Sequence, residues 1–223
     1  MNDTLARRVV AEALGTAGLV AAVVGSGITA ERLAGGDAAL ALLANALATG
    51  AALVALILTF GPLSGAHFNP AVTVAEAAHG RLPRHEVLPY VAAQLAGALA
   101  GAATGNVMFE QPLFEWSAHP RHGFGPALSE LIATFGLLMV IAGCARTRAS
   151  SAAFAVAAYI TAAYWFTAST SFANPAVTIA RSLTNTFSGI RPMDVPAFVA
   201  AQLVGATAAV PLARWLFAGE ERP

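Results

Sequence analysis

The strongest constraint on the fold is a motif that the chain contains twice. Asn-Pro-Ala-Val-Thr occurs at residues 69–73 and again at residues 174–178. Two further pairs of stretches match at similar separations: residues 11–25 with 129–143, and residues 90–101 with 198–209. The three offsets are 118, 105 and 108 residues, so the two halves differ mainly in the lengths of their connections. The chain therefore contains two copies of one sequence pattern, an internal repeat.

This repeat predicts a single domain over residues 1–223. Its expected parts are a first repeat over residues 1–110, a connecting extracellular loop over residues 111–126 and a second repeat over residues 127–223. The single cysteine, Cys144, excludes a disulfide framework within the chain. The formal net charge of zero gives no reason to expect a nucleic-acid partner.

The composition places the chain in a lipid bilayer. Of its residues, 57% are hydrophobic and only 11% are charged, with a mean hydropathy of +0.66, and a transmembrane helix needs ~20 mostly apolar residues. Six segments meet that length: 9–29, 39–61, 86–107, 127–145, 151–170 and 195–217. Two more, 67–79 and 173–183, are apolar but too short to cross, and each contains one Asn-Pro.

Three spans in each repeat give the two halves opposite orientations in the membrane, because an odd number of crossings inverts the second copy. Pro suits the first position of a helix and Asn suits its cap, so each Asn-Pro predicts the start of a half-helix. The two half-helices then enter from opposite faces and meet at the midplane. Irregular backbone at that depth must be buried in protein or line a wet cavity. We therefore expect the loops 61–67 and 167–173 to line a pore, with Gly65, Ala66 and Phe172 on its wall.

Asn69 and Asn174 are the expected centre of this pore. If each carboxamide oxygen caps its own half-helix, the NH2 donors face the channel. Two positive helix-dipole ends converge at the same point. A neutral hydroxylated molecule can accept these hydrogen bonds, whereas a cation meets a positive field.

The arginines predict the orientation. All twelve positive charges are arginines, and eight fall on one side of the predicted spans: Arg7, Arg8, Arg81, Arg84, Arg146, Arg148, Arg214 and Arg222. The other four are Arg32, Arg121, Arg181 and Arg191. Positive charge prefers the cytoplasmic side, so both termini are expected in the cytoplasm of a multi-pass inner (plasma) membrane protein.

These motifs resemble those of the aquaporin and glycerol-facilitator family, the major intrinsic proteins. The resemblance rests on "SGAHFNPAVT", a second "NPA", "AQLAGA" with "AQLVGA", and a glutamate in the first and fourth spans, and it covers essentially the whole chain. It implies an all-α membrane fold with six transmembrane helices and two re-entrant half-helices, one pore per subunit and a homotetramer. It also implies passive passage of small uncharged solutes, with no enzymatic activity, cofactor or metal. The pore motifs would be Asn69, Pro70, Ala71, Asn174, Pro175 and Ala176, with His67 on the cytoplasmic half of the pore.

The chain departs from this family at its outer filter. Most members have Arg after the second Asn-Pro-Ala, and this chain has Val177. Family spacing places the other filter positions at Thr49, Ala162 and Ser171. None of the four is charged or aromatic, so we expect a wide, weakly polar constriction with a lowered barrier to ions. Arg181, four residues after Val177, is expected either in the outer vestibule or bonded to helix-end carbonyls, but not in the filter.

A valine at this position resembles a bacterial branch of the family associated with arsenic-resistance operons. Arsenite at neutral pH is mainly uncharged As(OH)3, which suits a filter with hydroxyl partners and no bulk. Arsenite, with some water and glycerol, is therefore the expected load. The alternatives are a general water, glycerol or urea facilitator and, from a different class, a coupled secondary transporter.

Glu12 and Glu130 are acids inside predicted spans, where such residues are costly and usually functional. One interpretation is a proton relay. The other is that they accept backbone N–H bonds from the loops that hold the half-helices, and their matched places in the repeat favour this scaffolding role.

Overall fold

The structure is a computed structural model that describes residues 4–147 and 149–217. Its described part consists of helices joined by loops. The α-helices are α1 (Leu5–Leu33), α2 (Ala38–Ser64), α3 (Pro70–Ala78), α4 (Val87–Met108), α5 (Phe124–Thr147), α6 (Ala152–Phe166), α7 (Pro175–Arg181) and α8 (Val195–Leu216). Short 3₁₀ helices at Arg84–Glu86, Ala149–Ser151 and Pro192–Asp194 lead into α4, α6 and α8.

The long helices confirm the predicted fold of six spans and two half-helices. In the described part of the chain, α1, α2, α4, α5 and α8 are long and apolar enough to cross a membrane. The sixth, α6, has 15 residues and is shorter than the predicted span 151–170, because the helix ends at Phe166 and the following backbone is not helical. The 3₁₀ turn Ala149–Ser151 extends it at its start.

Each repeat packs as a group of three long helices. In the first, α1 lies between α2 and α4; in the second, α5 lies between α6 and α8. Contacts between α2 and α6 join the two groups. Of the eight arginines expected on one side, Arg8, Arg81 and Arg214 bond to neighbours at the end where α1 begins. Arg148 and Arg222 lie outside the described residues.

Glycines allow the helices within each group to approach closely. A Cβ on Gly97 of α4 would lie 2.2 Å from the carbonyl oxygen of Ala13 in α1. Its counterpart in the second repeat, Gly205 of α8, would place a Cβ 2.3 Å from the carbonyl oxygen of Leu131 in α5. The same contact is thus made in both halves, which supports the small-residue packing expected of membrane helices.

The short helices α3 and α7 lie inside this bundle and contact both groups. The helix α3 packs on α4 of its own half and on α5 and α8 of the other, while α7 packs on α8 and on α1 and α4. Their leading loops contain residues with positive φ at matched positions: Ala66 and Ser171 (both 50°), and Phe68 (50°) and Ala173 (47°). Each such residue costs about 1–2 kcal/mol. These loops therefore need strong external bonds.

Candidate functional site

The two half-helices begin as the sequence predicts. Pro70 and Pro175 occupy the first helical turn, where a missing N–H costs nothing. The Asn69 Oδ1 accepts the Ala71 N–H at 2.9 Å. The Asn174 Oδ1 accepts the N–H groups of Ala176 and Val177 at 3.0 and 3.3 Å. Each asparagine oxygen is thereby committed to its own helix.

The amide nitrogens make a connection that the sequence did not predict. The Asn69 Nδ2 donates to the Ala173 carbonyl oxygen at 2.7 Å, and the Asn174 Nδ2 donates to the Phe68 carbonyl oxygen at 2.8 Å. We expected both donors of each NH2 group to face the channel, and instead one of the two bonds to the loop of the opposite half. Both asparagines still line the central cavity. One donor on each amide therefore remains for a passing solute.

Replacing Asn174 with alanine removes two cap bonds and one bond between the halves. We expect the free energy of unfolding to fall by about 1–3 kcal/mol, since the cap and the Phe68 carbonyl each lose a buried partner. Thermal unfolding in detergent measures this change. Asn185→Ala, at an exposed asparagine, is the matched control. Equal stability of the two variants would contradict the assignment.

Glu12 holds the first loop. Its fully buried carboxylate accepts four hydrogen bonds, with Oε1 taking the Ser64 hydroxyl (2.6 Å) and the His67 N–H (2.9 Å). Its Oε2 takes the Phe68 N–H (2.7 Å) and the Gln94 Nε2 (2.8 Å). These partners are donors, as the scaffolding interpretation requires.

Glu130 holds the second loop in the same way. It accepts the N–H groups of Phe172 and Ala173 at 2.9 and 2.8 Å, and the Gln202 Nε2 at 2.6 Å. Neither Glu12 nor Glu130 lines the cavity. Of the two interpretations left open above, the geometry favours scaffolding over a proton relay.

A cavity of about 400 Å³ runs past both asparagines. At the end where α1 begins and α8 ends, its lining includes Arg8, Glu76 and Arg81. Arg81 bonds to the Glu76 carboxylate through two nitrogens at 2.5 Å, and this bond raises the pKa of Arg81. The opposite end, where Arg181 lies, we call the Arg181 end.

Three of the four predicted filter residues line the Arg181 end. Thr49, Ser171 and Val177 are buried, and each contributes to the cavity wall. The Thr49 Oγ1 lies 3.2 Å from the Tyr164 hydroxyl. The Ser171 Oγ has no hydrogen-bond partner among the described residues. The oxygen itself is buried, so a solute can reach it only if the serine side chain rotates.

The prediction for the fourth filter residue, Ala162, is wrong. Ala162 lies on the outer, exposed face of α6 and does not line the cavity. The cavity face of α6 is formed by Val156, Ile160 and Tyr164, which recur every four residues. Ala162 is two residues from Ile160 and hence on the other side of the helix. Tyr164 lines the cavity where Ala162 was expected, so the wall there includes an aromatic ring that was not predicted from the sequence.

The residues expected along the pore wall are placed as follows. Gly65, Ala66, His67 and Phe172 all line the cavity. The His67 Nδ1 lies 3.1 Å from the Thr73 Oγ1, which fixes the ring. The motif residues Pro70, Ala71, Pro175 and Ala176 are buried behind the asparagines and do not line the cavity.

Two arginines converge on Phe172 at the Arg181 end. Arg181 is 2% exposed, donates through Nε to the Ser188 carbonyl, and has its guanidinium carbon 3.4 Å from the centre of the Phe172 ring. The Arg121 guanidinium carbon lies 5.0 Å from the same centre. Burial lowers the pKa of Arg121. Both alternatives foreseen for Arg181 are partly met, because it bonds to a loop carbonyl and also lines the cavity.

A profile of the major intrinsic protein family matches residues 2–152 and 144–222, which together cover almost the whole chain. The chain belongs to the major intrinsic protein family. Its members are passive membrane channels rather than enzymes.

Relatives of this major intrinsic protein agree with that assignment. The aquaglyceroporin AqpS of Rhizobium meliloti (strain 1021) is 58% identical over 212 residues, which cover 95% of this chain and 91% of the relative. The probable aquaporin AqpM of Archaeoglobus fulgidus is 34% identical, over 97% of this chain and 98% of its own length. The solved aquaglyceroporin of Plasmodium falciparum superposes with a TM-score of 0.68 at 24% identity, covering 96% of both chains, which supports the fold.

Sequence reasoning missed several residues of the site. Tyr90 donates to the Ser64 carbonyl at 3.0 Å, and Thr73 and Thr178 each accept a glutamine Nε2 at 2.8 Å. The two threonines are the fifth residues of the repeated motif, so the repeat itself carried a signal for them. Arg121 comes from the connecting loop and has no repeat partner that would have marked it.

Proposed function

We propose that this protein is a channel for small uncharged polyhydroxylated solutes, with As(OH)3 as its principal load and water and glycerol as further loads. The observation that carries the proposal is the wall of the constriction. Three small uncharged residues, Thr49, Ser171 and Val177, line the cavity together, and Val177 stands at the position where most of the family has Arg.

The chemistry of the solute fits these groups. As(OH)3 has three hydroxyls and no charge at neutral pH. It can exchange hydrogen bonds with the Thr49 hydroxyl and, once the serine side chain rotates, with the Ser171 hydroxyl, while Val177 and the Tyr164 ring offer smooth apolar surface. One free donor on each of the two asparagines then replaces water at the midplane.

Glycerol is the second candidate load. The name of the relative AqpS describes an aquaglyceroporin, and 58% identity over most of both chains supports a similar solute class. Glycerol carries the same number of hydroxyls as As(OH)3, on a three-carbon chain instead of a single arsenic atom. The Tyr164 and Phe172 rings provide an apolar wall for that chain.

Flux into vesicles tests the proposal. We expect reconstituted wild type to pass arsenite and glycerol well above empty vesicles, with rates that do not depend on a proton or sodium gradient. Val177→Arg adds bulk and charge to the constriction and should lower both fluxes severalfold, whereas Val177→Ala should not. Size-exclusion profiles show that each variant is folded.

Three results would count against this proposal. Arsenite flux at the level of empty vesicles in the wild type would remove arsenite as a load. Equal fluxes in the wild type and in Val177→Arg would remove position 177 from the constriction. Saturating flux driven by an ion gradient would instead favour a coupled transporter.

We further propose a homotetramer in the inner membrane with both termini in the cytoplasm. The arginine bias of eight to four supports the orientation. Apolar side chains that a lone subunit leaves exposed on α2, including Leu40, Leu43 and Leu47, support burial against lipid or neighbouring subunits.

A further inference from the structure

The two halves hold their pore loops by different means. In the first half, the Tyr90 hydroxyl donates to the carbonyl oxygen of Ser64 at 3.0 Å. The repeat places Phe198 where Tyr90 stands and Ser169 where Ser64 stands, and phenylalanine has no hydroxyl to donate. The Ser169 carbonyl oxygen accepts instead from Arg121 Nη1 at 3.2 Å. An arginine from the connecting loop has replaced a phenol.

Arg121 is anchored on several sides. Its Nε donates to the Gly189 carbonyl oxygen at 2.7 Å, and its Nη1 also lies 3.3 Å from the Thr170 Oγ1. Its own backbone N–H donates to the Asp194 carboxylate at 2.8 Å. The side chain therefore joins the loop that enters α7 to the loop that leaves it. Its guanidinium is held next to Phe172.

Arg181 completes this arrangement from the other direction. Its guanidinium contacts the Phe172 ring and is fixed through Nε to the Ser188 carbonyl oxygen. Its two terminal nitrogens make no hydrogen bond to any residue of the described part of the chain, and Arg181 lines the cavity. Within that part, neither Arg121 nor Arg181 has a carboxylate oxygen within 4.0 Å. Two arginines without an ion-pair partner in the described residues therefore stand at this end.

We propose that Arg181, held against Phe172 and positioned with the help of Arg121, is the cation barrier of this channel, displaced one helical turn from position 177. Arg181 follows Val177 by four residues on α7, a distance of ~6 Å along the axis. A cation that enters here meets the fixed positive charge of Arg181 in the low-dielectric constriction, where solvent screens the repulsion between the two charges poorly. A neutral hydroxylated solute instead finds free N–H donors.

This inference rests on the proposed channel function. In most of the family one filter arginine both narrows the pore and repels cations, and here different residues carry these two roles. Val177, Thr49, Ser171 and Tyr164 line the constriction, while the charge of Arg181 lies one helical turn farther along. The prediction from sequence that loss of the filter arginine lowers the ion barrier is thereby revised. The constriction can therefore pass neutral solutes and still exclude cations.

The test measures glycerol flux and cation flux in the same vesicles, with potassium- and proton-sensitive dyes. We expect wild type to pass glycerol without cations. Arg181→Gln should keep glycerol flux above empty vesicles and add a cation leak of at least severalfold over wild type, and Arg181→Lys, which keeps the charge, should stay tight. Arg84→Gln is the charge-matched control, because it removes an exposed arginine in the 3₁₀ turn before α4, away from the Arg181 end of the cavity.

A second variant covers the case in which Arg181→Gln fails to fold. In Arg121→Gln with Phe198→Tyr, a phenol offers the Ser169 carbonyl the bond that Tyr90 gives to Ser64. We expect this double variant to fold and to leak cations, because Phe172 and Arg181 lose their cationic neighbour. A cation-tight, glycerol-conducting Arg181→Gln would overturn the inference, as would a wild type that conducts cations, and a cation-tight double variant would overturn the positioning role of Arg121. A wild type that passes no glycerol, arsenite or water would overturn the proposed function, and the inference with it.

Discussion

Glu12→Leu is expected to abolish the folded channel. The substitution leaves four buried donors without an acceptor: the backbone N–H groups of His67 and Phe68, the Ser64 hydroxyl and the Gln94 amide. Each orphaned group costs about 1–3 kcal/mol, so the sum rivals the stability of an ordinary domain. Size-exclusion profiles and thermal unfolding in detergent should show loss of the monodisperse, cooperatively unfolding species.

Two companion variants make this prediction specific. Glu12→Gln keeps one acceptor oxygen and should fall between the wild type and Glu12→Leu. Glu31→Leu removes an exposed acid from the same helix and should leave the profile unchanged. If Glu12→Leu were as stable as Glu31→Leu, Glu12 could not be what holds the strained loop.

Gly97→Val should separate α1 from α4. Even a single Cβ at this position lies 2.2 Å from the Ala13 carbonyl oxygen, and backbone cannot move aside as a flexible side chain can. We expect a loss of about 3 kcal/mol or more in the free energy of unfolding, as for a severely overpacked core. Thermal unfolding in detergent measures it.

Ala96→Val is the matched control for Gly97→Val. Ala96 precedes Gly97 on the same helix but is exposed, so an added β-branched side chain meets no neighbouring helix within the subunit. The control should lose little stability. Comparable losses in both variants would trace the effect to the β-branch itself rather than to the contact between helices.

Much of the fold could be predicted because the chain repeats itself. The duplicated Asn-Pro motif located both half-helix starts, and α3 and α7 begin at Pro70 and Pro175 as expected. Hydrophobic run length located the long helices, because a bilayer imposes a minimum span. Three of the four filter positions, Thr49, Ser171 and Val177, also reached the cavity.

The rest depends on facts that spacing alone does not contain. Ala162 was misplaced because counting back from Asn174 crosses irregular backbone at 167–174, and the rotation of α6 relative to the motif is not fixed by residue number. Arg121 was missed as a partner of the site because its contacts lie 48 or more residues away in sequence, so no local pattern marks them. The bonds from each asparagine amide to the opposite loop were missed for the same reason.

The reciprocal bonds between the two asparagines and the opposite loops bear on how the protein is made. While only the first half has been synthesised, the Phe68 carbonyl and one Asn69 donor have no partner, because theirs lie at Asn174 and Ala173. The loop before α3 therefore cannot complete its hydrogen bonds at membrane depth until roughly a hundred more residues have been translated. Biogenesis of this channel should end in one late, concerted closure, and a ribosome-released first half should remain sensitive to protease at residues 65–69.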